Sequence, residues 1–170
     1  MSSPMPPKPL DIEAADHLIV AAVGTVAERS FFSFVDPNAD PVLDDDREWL
    51  VATLRFDDGR LSGRLACSVR SDLAQMLFDS FSGRHPSSPL PPRHEVDDLV
   101  GEFSNMVCGT WLSRCAGDRL FHLSRPVVEH QTRPAADERH RHWVEVNHRP
   151  LIIDWEVERR PGNGVRRSSQ

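Results

Sequence analysis

Asp98, Glu102 and Asn105 place two carboxylates and a carboxamide within one short stretch, Glu95-Val-Asp-Asp-Leu-Val-Gly-Glu-Phe-Ser-Asn-Met-Val-Cys-Gly-Thr-Trp-Leu-Ser-Arg114. At about 100° per residue the three fall within about 60° of one another on a helix, and Gly109 lies on the same stripe. Carboxylates accept hydrogen bonds and attract cations. A carboxamide offers a donor and an acceptor together and does not titrate near neutral pH, so it can hold one water in a fixed orientation. An isolated Glu-x2-Asn pair on an exposed helix face is ordinarily no more than solvated. Here the full set of acid, acid, amide and glycine shares one strip, which suits a surface that another molecule approaches.

The element that must present the strip is a helix over residues 95–114, with Val96, Leu99, Val100, Phe103, Met106, Val107 and Trp111 centred on its opposite, buried side. Asp98 falls in the first turn of that span, where a carboxylate favours the helix N-terminus by about 0.3–1 kcal/mol. Gly109 costs about 1 kcal/mol in a helix interior relative to Ala, and on the exposed strip it lets a partner's backbone come close. Thr110 points toward the buried face. The proline-rich connector 84–93 cannot be regular structure and brings the chain to this helix from a separate direction.

Upstream, residues 11–29 read as an amphipathic helix with Asp11 as N-cap, His17 on its polar face, and Ile12, Ala15, Ile19, Ala22, Val23 and Val26 on its apolar stripe. Phe31, Phe32 and Phe34 follow in a short extended piece expected to pack in the core or a dimer contact, and residues 36–47 form an acidic loop. Leu50, Ala52, Leu54 and Phe56 alternate, as do Leu61, Gly63, Leu65, Cys67 and Val69, and the Asp57-Asp-Gly-Arg60 between them is a strong hairpin signal. Ser71 or Ser68 then caps a helix bearing Leu73, Ala74, Leu77, Phe78 and Phe81, which Gly83 ends. Three runs close the pattern: Phe121–Val128, Arg141–Asn147 and Leu151–Val157, the last two joined by a turn at Asn147-His-Arg-Pro150. Strands without crossover helices pair antiparallel, so the expectation is an α+β layered fold with a mainly antiparallel sheet covered by helices.

The sequence Asp98-x3-Glu102-x2-Asn105, followed by Met106, Val107 and Gly109, resembles the signature helix of the CheC/CheX/FliY chemotaxis phosphatases, in the CheX-like branch. The likeness is dense over residues 95–112. Elsewhere only the order of elements and Phe31-Phe-Ser-Phe34 are similar. CheC-type members usually carry two such helices, whereas this chain offers one; the nearest echo, Glu13-Ala-Ala-Asp16, ends in Asp. Thr110 departs from the second Asn of many relatives. The resemblance implies hydrolysis of the aspartyl-phosphate of a CheY-type receiver domain. Asn105 would orient the attacking water and Glu102 would dock to the receiver's active-site Lys, with Asp98 and Gly109 as partner-binding positions. It also implies a homodimer, no cofactor bound by this chain, and Mg²⁺ carried by the phosphorylated receiver. Two alternatives stay open: a non-catalytic module that binds a receiver or other signalling protein, and an assembly subunit similar in fold to the flagellar switch proteins.

Composition narrows the classes. The chain's 170 residues fit one domain, read as a disordered segment 1–10, a single domain 11–158 and a flexible basic tail 159–170. A net charge of −6 argues against a nucleic-acid partner. The opening Met-Ser-Ser-Pro-Met-Pro-Pro-Lys-Pro-Leu10 does not read as a signal peptide, and the chain has no run long enough to span a membrane, so a cytoplasmic location is expected. Cys67, Cys108 and Cys115 read as reduced, mostly buried thiols. His140-Arg-His142 lacks a carboxylate or Cys at ligand spacing, so no metal site is expected, and Trp49 and Trp143 are candidates for an interface.

Overall fold

Asp57 and Asp58 build the turn on which the sheet is founded. The Gly59 amide donates to Asp57 Oδ1 at 2.7 Å, and the Arg60 and Leu61 amides donate to Asp58 Oδ1 at 3.0 and 2.8 Å, closing the hairpin that the Asp-Gly signal predicts. The computed structural model describes residues 10–39, 46–85, 87–135 and 140–159. Its elements run α1 (Ile12–Phe31), β1 (Val35–Asp36), β2 (Trp49–Asp57), β3 (Leu61–Arg70), α2 (Ser71–Ser82), α3 (Arg93–Cys115), β4 (His122–Leu123), β5 (Val127–Gln131), β6 (Arg141–Val146) and β7 (Arg149–Arg159). Residues 1–9 of the expected N-terminal segment, the basic tail beyond Arg159, which itself ends β7, and residues 40–45 of the acidic loop lie outside the described residues. Leu10 of the N-terminal segment is buried against Leu61 and Ala116.

The strands form an antiparallel sheet in the order β1-β6-β7-β3-β2-β4, with β5 also paired to β2. Period-two alternation gives the sheet one apolar face, where Leu50, Ala52, Leu54, Phe56, Leu65, Cys67, Leu151, Ile153 and Trp155 join residues of all three helices in one core. On the other face, register neighbours pair their charges. Arg64 donates to Glu156 at 3.1 Å and Arg141 forks onto Asp154 at 2.6 and 2.8 Å. The fold is therefore the expected α+β layered arrangement with an antiparallel sheet.

Several boundaries differ from expectation for local reasons. The run Phe121–Val128 is two strands, because Pro126 has no N–H to continue a ladder. No serine caps α2; Arg70 stands at its N-cap and instead forks onto Asp72 at 2.7 and 2.8 Å. Helix α1 runs on through Phe31, which is buried, and ends at Phe32 in the left-handed region with φ 51°. Phe32 and Phe34 are thereby exposed on the single chain rather than packed in its core, which leaves the dimer-contact expectation open. Asn147 holds this corner, accepting from the Phe34 amide at 2.7 Å and donating its own amide to the Phe34 carbonyl at 2.8 Å. Ile12 is 38% exposed, off the buried stripe, while Trp49 is buried and Trp143 partly so.

Candidate functional site

Helix α3 begins at Arg93, two residues before the expected start, with Pro92 at its N-cap. Leu99, Val100, Phe103, Val107 and Trp111 are buried as the periodicity predicts, and so are Gly101, Ser104 and Cys108, so the packed face is wider than the apolar pattern alone indicates. Ser104 donates to the Val100 carbonyl at 2.9 Å, which satisfies its hydroxyl inside the helix. Trp111 sets the roll of the helix. Its indole N–H donates to the Ala15 carbonyl of α1 at 2.9 Å, and its ring packs 5.0 Å from Trp155 and 5.7 Å from Phe56.

One flank of α3 is pinned to the β2–β5 edge. Gly101 is buried against this edge: a Cβ there would lie 3.4 Å from Pro126 and 3.7 Å from Val128, in ordinary van der Waals contact. At the N-terminal end, Asp97 meets His130 at 2.7 Å, His130 lies 3.2 Å from Glu48, and Arg93 lies 2.5 Å from Glu48. Burial raises the Glu48 carboxyl, and the neighbouring His130 and Arg93 outweigh it and hold the group below its ordinary value. These four residues carry no motif, and sequence reasoning did not single them out.

With both flanks occupied, α3 shows water the predicted strip. Asp98 and Glu102 are exposed, and Asn105 and Gly109 are partly so. Among the described residues, the side chains of Asp98, Glu102 and Asn105 have no hydrogen-bond or ion-pair partner in the chain. A Cβ on Gly109 would meet nothing within 4 Å, so packing within the chain does not require a glycine there. The structure corrects the placing of Asp98 in the first turn: that turn holds Glu95, and Asp98 lies one turn further on. A helix-start duty therefore does not account for it. Thr110 is half-buried.

A second polar cluster joins residues far apart in sequence. Asp16 Oδ1 accepts from Trp155 Nε1 at 3.1 Å and meets His142 Nε2 at 2.8 Å and His140 Nδ1 at 3.3 Å, so a carboxylate does stand beside the His140-x-His142 pair. Burial raises the Asp16 carboxyl, and the two histidines more than offset it. Among the described residues, no group of three or more His, Cys, Asp or Glu is arranged to hold a metal ion. The cysteines are free thiols; burial pushes Cys67 up to about 12 and Cys115 up to about 11, and raises Cys108 as well. No helix among the described residues is long and apolar enough to cross a membrane.

The layered α+β fold and the exposed Asp-x3-Glu-x2-Asn strip are those expected of a chemotaxis-phosphatase type of protein, and comparison with known families gives that class. The family model described as chemotaxis phosphatase CheX matches residues 50–147, a span that contains the whole strip, and the chain belongs to that family. Among solved structures, the chain is similar to the chemotaxis protein CheX of Vibrio vulnificus, with 18% identity and a TM-score of 0.65 over 85% of this chain and 99% of that one. It is also similar to CheX of Desulfovibrio desulfuricans, with 15% identity and a TM-score of 0.64 over 85% and 99%. A third likeness is to the CheX-CheY-BeF3-Mg complex of Borrelia burgdorferi, with 8% identity and a TM-score of 0.59 over 83% and 96%. Among curated proteins no match is found.

Proposed function

We propose that the chain hydrolyses the aspartyl-phosphate of a CheY-type receiver domain. The observation that carries this reading is the pairing of Glu102 and Asn105 on one strip, without partners among the described residues, on a helix whose other faces are fixed by packing and hydrogen bonds. A side chain left free on an otherwise committed helix is available to another molecule. Membership of the CheX family supplies the reaction, and the Borrelia complex with CheY supports the kind of partner.

In this reading the receiver brings its own Mg²⁺, Lys and phosphorylated Asp, and what the reaction lacks is a placed water. The Asn105 carboxamide accepts from that water and donates to it, fixing it in line with the scissile P–O bond, as a glutamine does in small GTPases. The water oxygen forms a bond to phosphorus, the bond to the Asp carboxylate breaks, and the products are inorganic phosphate and free Asp. Glu102 pairs with the receiver's Lys, an interaction that becomes substantial only when docking removes water, since an exposed pair is worth about 0–1 kcal/mol. Asp98 extends the acidic end of the docking strip, and Gly109 leaves clearance for the receiver's backbone.

The test is phosphate release from phosphorylated receivers. The chain is expected to shorten the acyl-phosphate half-life of its receiver; tight binding with an unchanged half-life would favour the binding-only module instead. The homodimer that the family implies is tested by light scattering, where a monomer at micromolar concentration would count against it.

A further inference from the structure

We infer that the receiver is anchored at a second point, an apolar socket at the C-terminal end of α3 with Leu120 on its rim. The inference rests on the receiver reading above. The socket is a groove of about 280 Å³ whose lining includes Gly109, Leu112, Gly117, Leu120, Phe121 and Leu123. Gly109 belongs to both the strip and the groove, so the two are continuous. Leu120 is 91% exposed, and nothing among the described residues covers it.

The segment that carries Leu120 is held in place. Its neighbour Arg119 is paired with Asp58 of the β2–β3 turn, both side chains nearly buried, and the Arg119 guanidinium lies 5.3 Å from the centre of the Phe121 ring. Gly117 permits the tight return of the chain, since a Cβ there would lie 2.6 Å from the Ser113 carbonyl oxygen. An exposed leucine on a fixed segment is preorganised to bind, because little ordering is left to do on association.

Distance identifies the occupant. Gly109 lies about 6 Å and Leu112 about 10 Å along the helix axis from Asn105, at about 1.5 Å per residue. A standard interface buries about 800 Å² on each partner, a patch of about 16 Å radius. A receiver interface of that size centred on Asn105 reaches Gly109 and Leu112, the α3 side of the groove. The one charged side chain lining the groove is Arg119, already committed to Asp58, so the matching receiver surface is an apolar side chain rather than an acidic one. Leu120 touches no reacting atom, and its effect falls on the affinity for the receiver.

The experiment titrates a CheY-type receiver, charged with beryllofluoride and Mg²⁺ as a stand-in for the phosphoryl group, into the wild type, Leu120→Asp and Leu120→Met, and follows phosphate release from the phosphorylated receiver in parallel. Leu120→Asp is expected to weaken binding and raise KM by about 10- to 100-fold, with kcat moving by less than about 2-fold, while Leu120→Met stays near wild type. Unchanged binding and KM in Leu120→Asp, with normal turnover, overturns the socket and leaves the phosphatase reading standing. Binding that depends on Leu120 without any turnover in the wild type supports the socket and overturns the phosphatase reading. No binding by the wild type overturns both.

Discussion

The indole N–H of Trp111 donates to the carbonyl of Ala15 across 2.9 Å, joining the helix that bears the strip to the first helix of the chain. Apolar packing resists rotation of a helix but is not directional. A directional bond near its C-terminal end, with Asp97 and His130 meeting at 2.7 Å near the other, fixes the roll of α3 further. Asn105 and Glu102 then face water in one fixed direction. Trp111→Phe keeps an aromatic ring in the core and removes the donor. It is expected to lower stability by about 1–3 kcal/mol, from the lost bond and the smaller ring, as read by urea unfolding. An unchanged midpoint would show that the bond does not hold α3.

Gly109 separates stability from function. With nothing within 4 Å of the position a Cβ would take, Gly109→Ala meets no clash and gains helix propensity, so it is expected to stabilise the chain by about 0.5–1 kcal/mol. The same methyl group protrudes where the proposed receiver docks, and KM is expected to rise. A variant that is more stable and equally active would remove Gly109 from the docking surface.

Acid should unfold the protein through a small set of carboxylates. Asp58 is the best buried of them, with its side chain 6% exposed beside Arg119. Burial raises the Asp58 carboxyl, and the Leu61 and Arg60 amides with the Arg119 guanidinium outweigh it and hold the group below its ordinary value. Asp16, Asp72 and Glu48 are also held low. A depressed folded pKa contributes stability that is fully present above the unfolded value, near 4, and is lost as pH falls through the folded value. Stability is therefore expected to fall steeply below about pH 4. Asp58→Asn keeps an acceptor for the turn but leaves Arg119 without a counter-charge, at a cost of about 3 kcal/mol at neutral pH, and flattens the acid decline. Denaturant midpoints measured from pH 3 to 7 check this; parallel curves for the two proteins would contradict it.

The strip was legible because Asp98, Glu102, Asn105 and Gly109 lie on one helix, where a period of 3.6 residues assigns each position to a face without knowledge of the rest of the fold. The hairpin at Asp57–Arg60 and the antiparallel pairing were legible for the same reason, since both signals are local. The Asp97–His130 and Asp16–His142 contacts join residues 33 and 126 positions apart, and only the completed sheet brings them together. The socket was hidden too: Gly117 to Leu123 is largely irregular, and no period marks Leu120 as exposed or Phe121 as partly buried. That α1 continues through Phe31 and turns at Phe32 was not legible, because the apolar run Phe31-Phe32 does not announce a left-handed helix end.

The measurement closest to the central claim compares kcat for phosphate release by the wild type and by Asn105→Ala on the same phosphorylated receiver. Asn105 is partly exposed and has no partner in the chain among the described residues, so the substitution is expected to leave folding within about 0.5 kcal/mol of wild type. A loss of about 10²- to 10³-fold in kcat is expected, with binding of the beryllofluoride-charged receiver retained. Turnover by Asn105→Ala as fast as by the wild type would contradict it.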